Sequence, residues 1–318
     1  MRTTLLTVVV MTTLNSVAYS QTTANDGDWK KNYVVLNNTP QAELMIRGGD
    51  IDNLGFGWEN NFNPFSGKST ETHFFPWTPD TSFAGTDRIL IGSSVGKSDP
   101  PCSADGYSGE WNALKTQFGK TTQAIKIPLS IPATTVIKEV MLQLFVDDFQ
   151  SPVFCSSFQV MLNGKSAPFI ENIINRLNQT GPIGKLITIE IPAEYLSFFK
   201  EKQLEILIDD PTTGAHDGYA IDFVKVLINP KPGAFKKYNH TVLVKDNMTG
   251  DPLKGVIVEL ANGKIVRTND KGEAVLQDLV LGYHPIRLTH CGYYEVFAGV
   301  DIEEKPEAPQ TFVMEVQQ

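Results

Sequence analysis

Apolar and polar residues alternate along Ile187-Thr188-Ile189-Glu190-Ile191, and Leu204-Glu205-Ile206-Leu207-Ile208 keeps nearly the same period. A period of two sends one row of side chains toward a core and the other away from it, the pattern of a half-buried β-strand. Comparable runs recur at residues 33–36, 44–46, 88–91, 122–131, 136–149, 158–162 (before an Asn163-Gly164 turn) and 219–228. Helical periodicity is confined to residues 169–177, where Ile170, Ile173, Ile174 and Leu177 share a face, and to Ala193–Lys200 behind Pro192. This balance predicts an all-β chain with a jelly-roll-like β-sandwich over residues 28–230. About 200 residues are ample for one buried core. Pro230-Lys231-Pro232-Gly233 then punctuates the chain.

A second unit is expected over residues 238–318. It opens on Asp246-Asn247-Met248-Thr249-Gly250-Asp251-Pro252-Leu253-Lys254-Gly255-Val256-Ile257-Val258 and continues through Thr268-Asn269-Asp270-Lys271-Gly272-Glu273-Ala274. Asp278-Leu279 before Gly282, and His284-Pro285-Ile286-Arg287-Leu288 leading to Gly292-Tyr293, complete the pattern. Asn262-Gly263 and Asp270-Lys271-Gly272 each predict a hairpin turn. These motifs resemble the carboxypeptidase-regulatory-like, or transthyretin-like, domains. The resemblance implies a small Ig/transthyretin-like β-sandwich without an active site, serving as a spacer, stabiliser or adhesion module.

Residues 1–20 read as an export signal, with Arg2 at the start, an apolar run over 5–11, and Ala18-Tyr19-Ser20 before Gln21. The expected location is therefore secreted or extracellular, or alternatively periplasmic or at the cell surface. No later run reaches the ~18 apolar residues of a spanning helix, so no membrane span is expected. A net charge of −9 argues against nucleic-acid partners. In an oxidising compartment Cys102 and Cys155 could form a disulfide, leaving Cys291 buried and free. Sequons stand at Asn37, Asn178, Asn239 and Asn247.

Chemistry-bearing residues concentrate in Arg47-Gly48-Gly49-Asp50-Ile51-Asp52-Asn53-Leu54-Gly55-Phe56-Gly57-Trp58. Asp50 and Asp52 leave the same face of an extended chain, and the glycines let carbonyls turn inward. Hard oxygen donors on a bent backbone suit Ca²⁺. Asp147-Asp148 and Asp209-Asp210 close apolar strands, and Asp217-Gly218-Tyr219-Ala220-Ile221-Asp222 opens the last strand of the first domain. Through Gly49–Asn53 and residues 217–223 the first domain resembles jelly-roll modules of the carbohydrate-binding type. In those modules the first and last strands are neighbours and Ca²⁺ sits near their ends. The resemblance implies a Ca²⁺ site drawn from Asp50, Asp52, Asn53, Asp147, Asp217 and Asp222. Two alternatives stand beside it: an Arg47–Asp222 ion pair, and acidic residues that serve only as turn formers. EF-hand spacing is not met, since Leu54 occupies a ligand position.

Residues 55–87 are rich in turn formers yet carry many aromatics. Trp58, Phe62, Phe65 and Trp77 could form a platform for sugar rings, or the rings could wedge the loop onto the sandwich as a satellite core. Gly92-Ser93-Ser94-Val95-Gly96 fits a nucleophile elbow in letters, but Lys97-Ser98-Asp99-Pro100-Pro101 follows where a helix is required. Gly67-Lys68-Ser69-Thr70 lacks the leading glycine of a phosphate loop, and the histidines have no zinc spacing. His216, beside the acidic run, is the one histidine with a functional reading. The expectation is a non-enzymatic, Ca²⁺-stabilised binding protein for glycan or extracellular matrix. The alternatives are a structural or adhesive extracellular protein, and a polysaccharide-active enzyme using Glu59, Glu110 or an acid of the Asp cluster.

Overall fold

The structure is a computed structural model that describes residues 23–73, 88–92, 122, 124–154, 156–178, 182–213, 218–304 and 309–317. The expected export signal, Trp77, the Ser94 motif, Cys102, Glu110, Cys155, His216 and Asp217 lie outside those residues, and so does the expected disulfide.

The first domain contains β1 (Tyr33–Asn37), β2 (Ala42–Gly48), β3 (Arg88–Gly92), β4 (Ile125–Pro128), β5 (Val140–Asp147), β6 (Gln159–Leu162), β7 (Lys165–Ser166), β8 (Lys185–Glu190), β9 (Gln203–Asp209) and β10 (Gly218–Pro230). One sheet has the order β1-β2-β10-β5-β8, with β3 also on β10, and the other runs β4-β9-β6-β7. Facing four-strand orders of 2-10-5-8 and 4-9-6-7 are those of a jelly roll. The first long strand, β2, lies beside the last, β10, with Arg47 opposite Lys225.

Between the sheets, Leu142, Leu144 and Val146 of β5 and Val224, Val226 and Ile228 of β10 meet Ile125, Val160 and Ile206 from the other sheet. The opposite face of the first sheet is not left to water. Phe145, Leu186 and Phe223 form a second apolar layer with Ile51, Trp29, Trp58 and Phe65. Fully burying Phe145 and Phe223 contributes about 1.5–3 kcal/mol each.

Among the described residues helix is as scarce as expected, with single turns at Thr23–Asp26 and Ser151–Phe154. Pro168–Ile174 is a short α-helix and Ala193–Lys200 a 3₁₀ helix. The runs at 122–131 and 136–149 shorten to β4 and β5, with β4 ending at Pro128, which lacks the N–H that would extend a ladder.

The second sandwich contains β11 (Tyr238–Asp246), β12 (Ile257–Leu260), β13 (Ile265–Arg267), β14 (Glu273–Leu279), β15 (Gly282–Thr289), β16 (Val296–Ile302) and β17 (Gln310–Met314). Its sheets are β14-β11-β17 and β13-β12-β15-β16, closed over Val242, Val244, Val258, Leu276, Ile286 and Leu288. Asp246 accepts the N–H groups of Met248 and Thr249 (2.7 and 2.8 Å), which folds the Thr249-Gly250 turn. Asn262-Gly263 does make a hairpin, between β12 and β13. The turn at Asp270-Lys271-Gly272 forms too, but it joins β13 to β14 in the other sheet, so the expected hairpin there is corrected to a crossover. Cys291 is exposed rather than buried, because it sits in the tight His290–Tyr293 turn beyond the end of β15.

The two sandwiches are fastened together. Tyr283 of β15 is buried in the first domain's core cluster. Arg176 binds Glu259 at 2.7 Å, and Asn178 Nδ2 donates to the Phe297 carbonyl at 2.8 Å. Gly282 (φ +125°) fits against β8, where a Cβ would come within 2.7 Å of the Leu186 carbonyl.

Candidate metal centre

In β10, Ile221 pairs with Val146 but Phe223 pairs with Phe145, so Asp222 is the extra residue of a β-bulge. A bulge re-aims the residue it inserts. Asp222 thereby stays fully buried at the end of β2, where Gly49 passes so close that any Cβ would overlap the Asp222 carbonyl. Gly49 also has φ +88°, which favours glycine independently.

Beyond Asp52 the backbone enters the left-handed region for three residues in succession: Asn53 (φ +62°), Leu54 (+57°) and Gly55 (+78°). Asn and Gly tolerate this region, whereas Leu pays roughly 1–2 kcal/mol. The strained turn gathers N–H groups. Asn53 and Leu54 donate to the two oxygens of Asp222 (3.3 and 2.9 Å), and Gly55 donates to Asp52 Oδ1 at 2.7 Å.

Ligand oxygens of Asp50, Asp52 and Asp222 lie within 4.8 Å of one another, with Asp50 and Asp52 half-buried. Burial holds the Asp222 carboxyl well above the usual carboxylate range. The Leu54 N–H opposes that shift, and the charges of Asp52 and Asp50 reinforce it. Beside this group, Asn53 donates through Nδ2 to the Gly57 carbonyl (2.9 Å), while its buried Oδ1 has no hydrogen-bond partner. The three carboxylates form a hard donor set, suited to Ca²⁺ with further oxygens from side chain, main chain or water.

Arg47 is buried alongside. Its guanidinium donates to the main-chain carbonyls of Asp26 (3.3 Å), Asp28 (2.6 Å) and Gly49. These contacts pin the N-terminal segment and the site's entry strand, while the oxygens of Asp222 take main-chain donors from Asn53 and Leu54.

Asp147 does not join the trio. Its carboxylate pairs with His73 Nε2 at 2.9 Å, under a stack of Phe56 on the His73 ring at 4.0 Å. Trp58 meets Phe145 edge-on at 5.3 Å and stacks on Phe62 at 5.4 Å, and Phe65 lies 5.6 Å from Phe223. All three of these loop aromatics are half-buried in the outer layer. Glu59, a candidate acid, accepts the Glu71 N–H within the same segment.

Sequence reasoning missed the ion pair between Lys225 and Asp26, both buried, with the ammonium 4.5 Å from the Phe65 ring centre. Burial lowers the Lys225 pKa and the Asp26 charge opposes that shift. The signal was present as one lysine inside Phe223-Val224-Lys225-Val226-Leu227, an apolar strand in which a charge requires a buried partner. His73, Asp301 and Tyr283 carried no comparable signal.

No family model matches the chain, and no curated protein matches it. Among solved structures, the Bacillus anthracis TIE protein is 12% identical over 61% of this chain and 37% of that one, with TM-score 0.24. The group B streptococcus pilus 2b backbone protein is 12% identical over 61% and 92%, TM-score 0.23. The pilus adhesin RrgA from Streptococcus pneumoniae is 9% identical over 57% and 33%, TM-score 0.20. This chain spans little more than a third of the length of the first of these. No helix among the described residues is long and apolar enough to cross a membrane.

Proposed function

We propose that the protein is a non-catalytic extracellular component of structural or adhesive type, a stiff two-sandwich unit stabilised by Ca²⁺ at Asp50, Asp52, Asn53 and Asp222. The observation that carries this reading is the junction, where Tyr283 of the second sandwich is buried in the core of the first. Domains that work by moving or by binding separately keep small polar interfaces. A shared core holds one shape, as a spacer or scaffold must. The packing of Trp58, Phe62 and Phe65 supports the same view, since these rings stabilise the loop they stand on. The export signal and the resemblance of residues 238–318 to non-catalytic accessory domains support the extracellular and non-enzymatic parts.

Glycan or matrix recognition is the second reading, favoured by the half-buried Trp58–Phe62 stack. Thermal melts in EDTA and in millimolar Ca²⁺, followed by a glycan array and polysaccharide-turnover assays, test both. A ligand that binds only the folded state raises stability by RT ln(1 + [L]/Kd), so Ca²⁺ should raise the midpoint by several degrees. An array hit lost in Trp58→Ala would favour recognition over scaffolding, and turnover would overturn both readings.

A further inference from the structure

The segment that leaves the acidic site does not end there. After the left-handed turn it crosses the outer face of the first sheet, with Trp58 on Phe145 and Phe65 on Phe223. Gly67 (φ +95°) then presses against the second sandwich so closely that any Cβ would overlap the Ile302 carbonyl. The Ser69 N–H and hydroxyl donate to the Asp301 carboxylate at 2.9 and 2.7 Å. Thr70 exchanges two hydrogen bonds with Gly184 at the start of β8 (2.9 and 2.8 Å), and the His73 N–H donates to the Pro182 carbonyl at 3.1 Å. One strap therefore runs from Asp50 to the end of β16, and Ser69 and Gly67 are where it grips the other domain.

We infer that occupancy of the Asp50–Asp52–Asp222 site by a divalent cation controls how firmly the second sandwich is held against the first, acting through the strap of residues 50–70. This inference rests on the cation reading above. Asp50 and Asp52 sit on the strap, whereas Asp222 sits on the sheet, so a bound cation ties one to the other. Without the cation that tie is absent, and the charges of Asp50 and Asp52 crowd each other and the Asp222 carboxyl within the 4.8 Å span of the site. The repulsion acts directly on the residues that lead into the strained Asn53–Gly55 turn. Leaving that turn relieves the cost of left-handed Leu54 and withdraws the N–H groups from Asp222. The Trp58 and Phe65 contacts then lose their anchor, and the Gly67 and Ser69 grip loosens with them.

Hydrogen exchange of the full chain in EDTA and in Ca²⁺, read at residues 50–57, at 66–72 and along β16, tests the inference, with Ca²⁺ affinity measured in parallel by calorimetry. At ten times the Kd the cation-free population falls about tenfold, and exchange in all three regions should slow by up to that factor. Ser69→Ala should retain the affinity and the protection at 50–57, yet lose the Ca²⁺ effect along β16. Asp52→Asn keeps the Oδ1 acceptor for Gly55 and should remove binding and protection together. Slowing confined to 50–57 in the wild type would overturn the coupling while leaving the site. Absence of Ca²⁺ binding would overturn the site, and the coupling with it.

Discussion

Leu54 has the least favourable backbone of any residue near the site, and its N–H makes the best-placed hydrogen bond to Asp222, at 2.9 Å. Strain of that kind persists where the surroundings over-determine it. Gly49→Ala should be severe, because the added methyl meets the Asp222 main chain and the φ is positive. We expect a loss of at least about 2 kcal/mol in urea unfolding, with or without Ca²⁺. The charge of Asp222 gives a pH signature. Its folded pKa is raised by burial, so the folded protein binds the proton more tightly than the unfolded chain does. In EDTA stability should therefore fall as the pH rises above about 3.9, until the folded pKa is passed. Saturating Ca²⁺ favours the ionised form and should flatten or reverse that slope. Melting curves against pH that run parallel with and without Ca²⁺ would count against a cation at Asp222.

At the scale of elements, β10 and the 51–73 segment show how far pattern reading reached. The alternation of β8 and β9 follows directly from the period-two rule, and the predicted strand at 219–228 is the core of β10. Its bulge was invisible, because Asp222 is distinguished from a regular strand residue only by the pairing of its neighbours with β5. Asp50, Asp52 and Asn53 could be grouped from spacing, and the strand-order analogy placed Asp222 near them. Asp147 stands at a strand end in the same way, yet the structure gives it to His73, which the sequence offered no reason to choose. In the 51–73 segment, Trp58→Ala should cost about 2–3 kcal/mol by opening the layer over Phe145, since a half-buried ring loses less than a fully buried one. Guanidinium unfolding measures it, and a change below about 0.5 kcal/mol would mean that the ring is displayed rather than packed.

For the whole molecule, the two domains meet through the buried Tyr283 and an ion pair. Glu259 lies between Arg176 of the first domain and Arg287 of its own. The hydrogen bond from Arg176 holds the Glu259 carboxyl below its usual range, with burial opposing and Arg287 assisting. A depressed folded pKa gives stabilisation that is present above about pH 4.3 and is lost as the pH falls through the folded value. Arg176→Ala should therefore weaken docking near neutrality and leave less to lose in acid, which limited proteolysis of the linker at residues 231–237 would read out. Asn178 adds a constraint, because its side-chain nitrogen, the atom a sequon glycan would occupy, already binds the Phe297 carbonyl. The sequence by itself determined the all-β class, the break near Pro230 and the position of the main acidic stretch. Each is written in local terms: a two-residue period, a loss of N–H donors, a density of carboxylates and glycines. The tertiary structure alone decided which acids meet, that the aromatic loop becomes a packed layer, and that Tyr283 belongs to the other domain's core. Those outcomes depend on bulges, strand order and contacts between residues far apart in the chain, and no local pattern encodes which distant surface a side chain will reach.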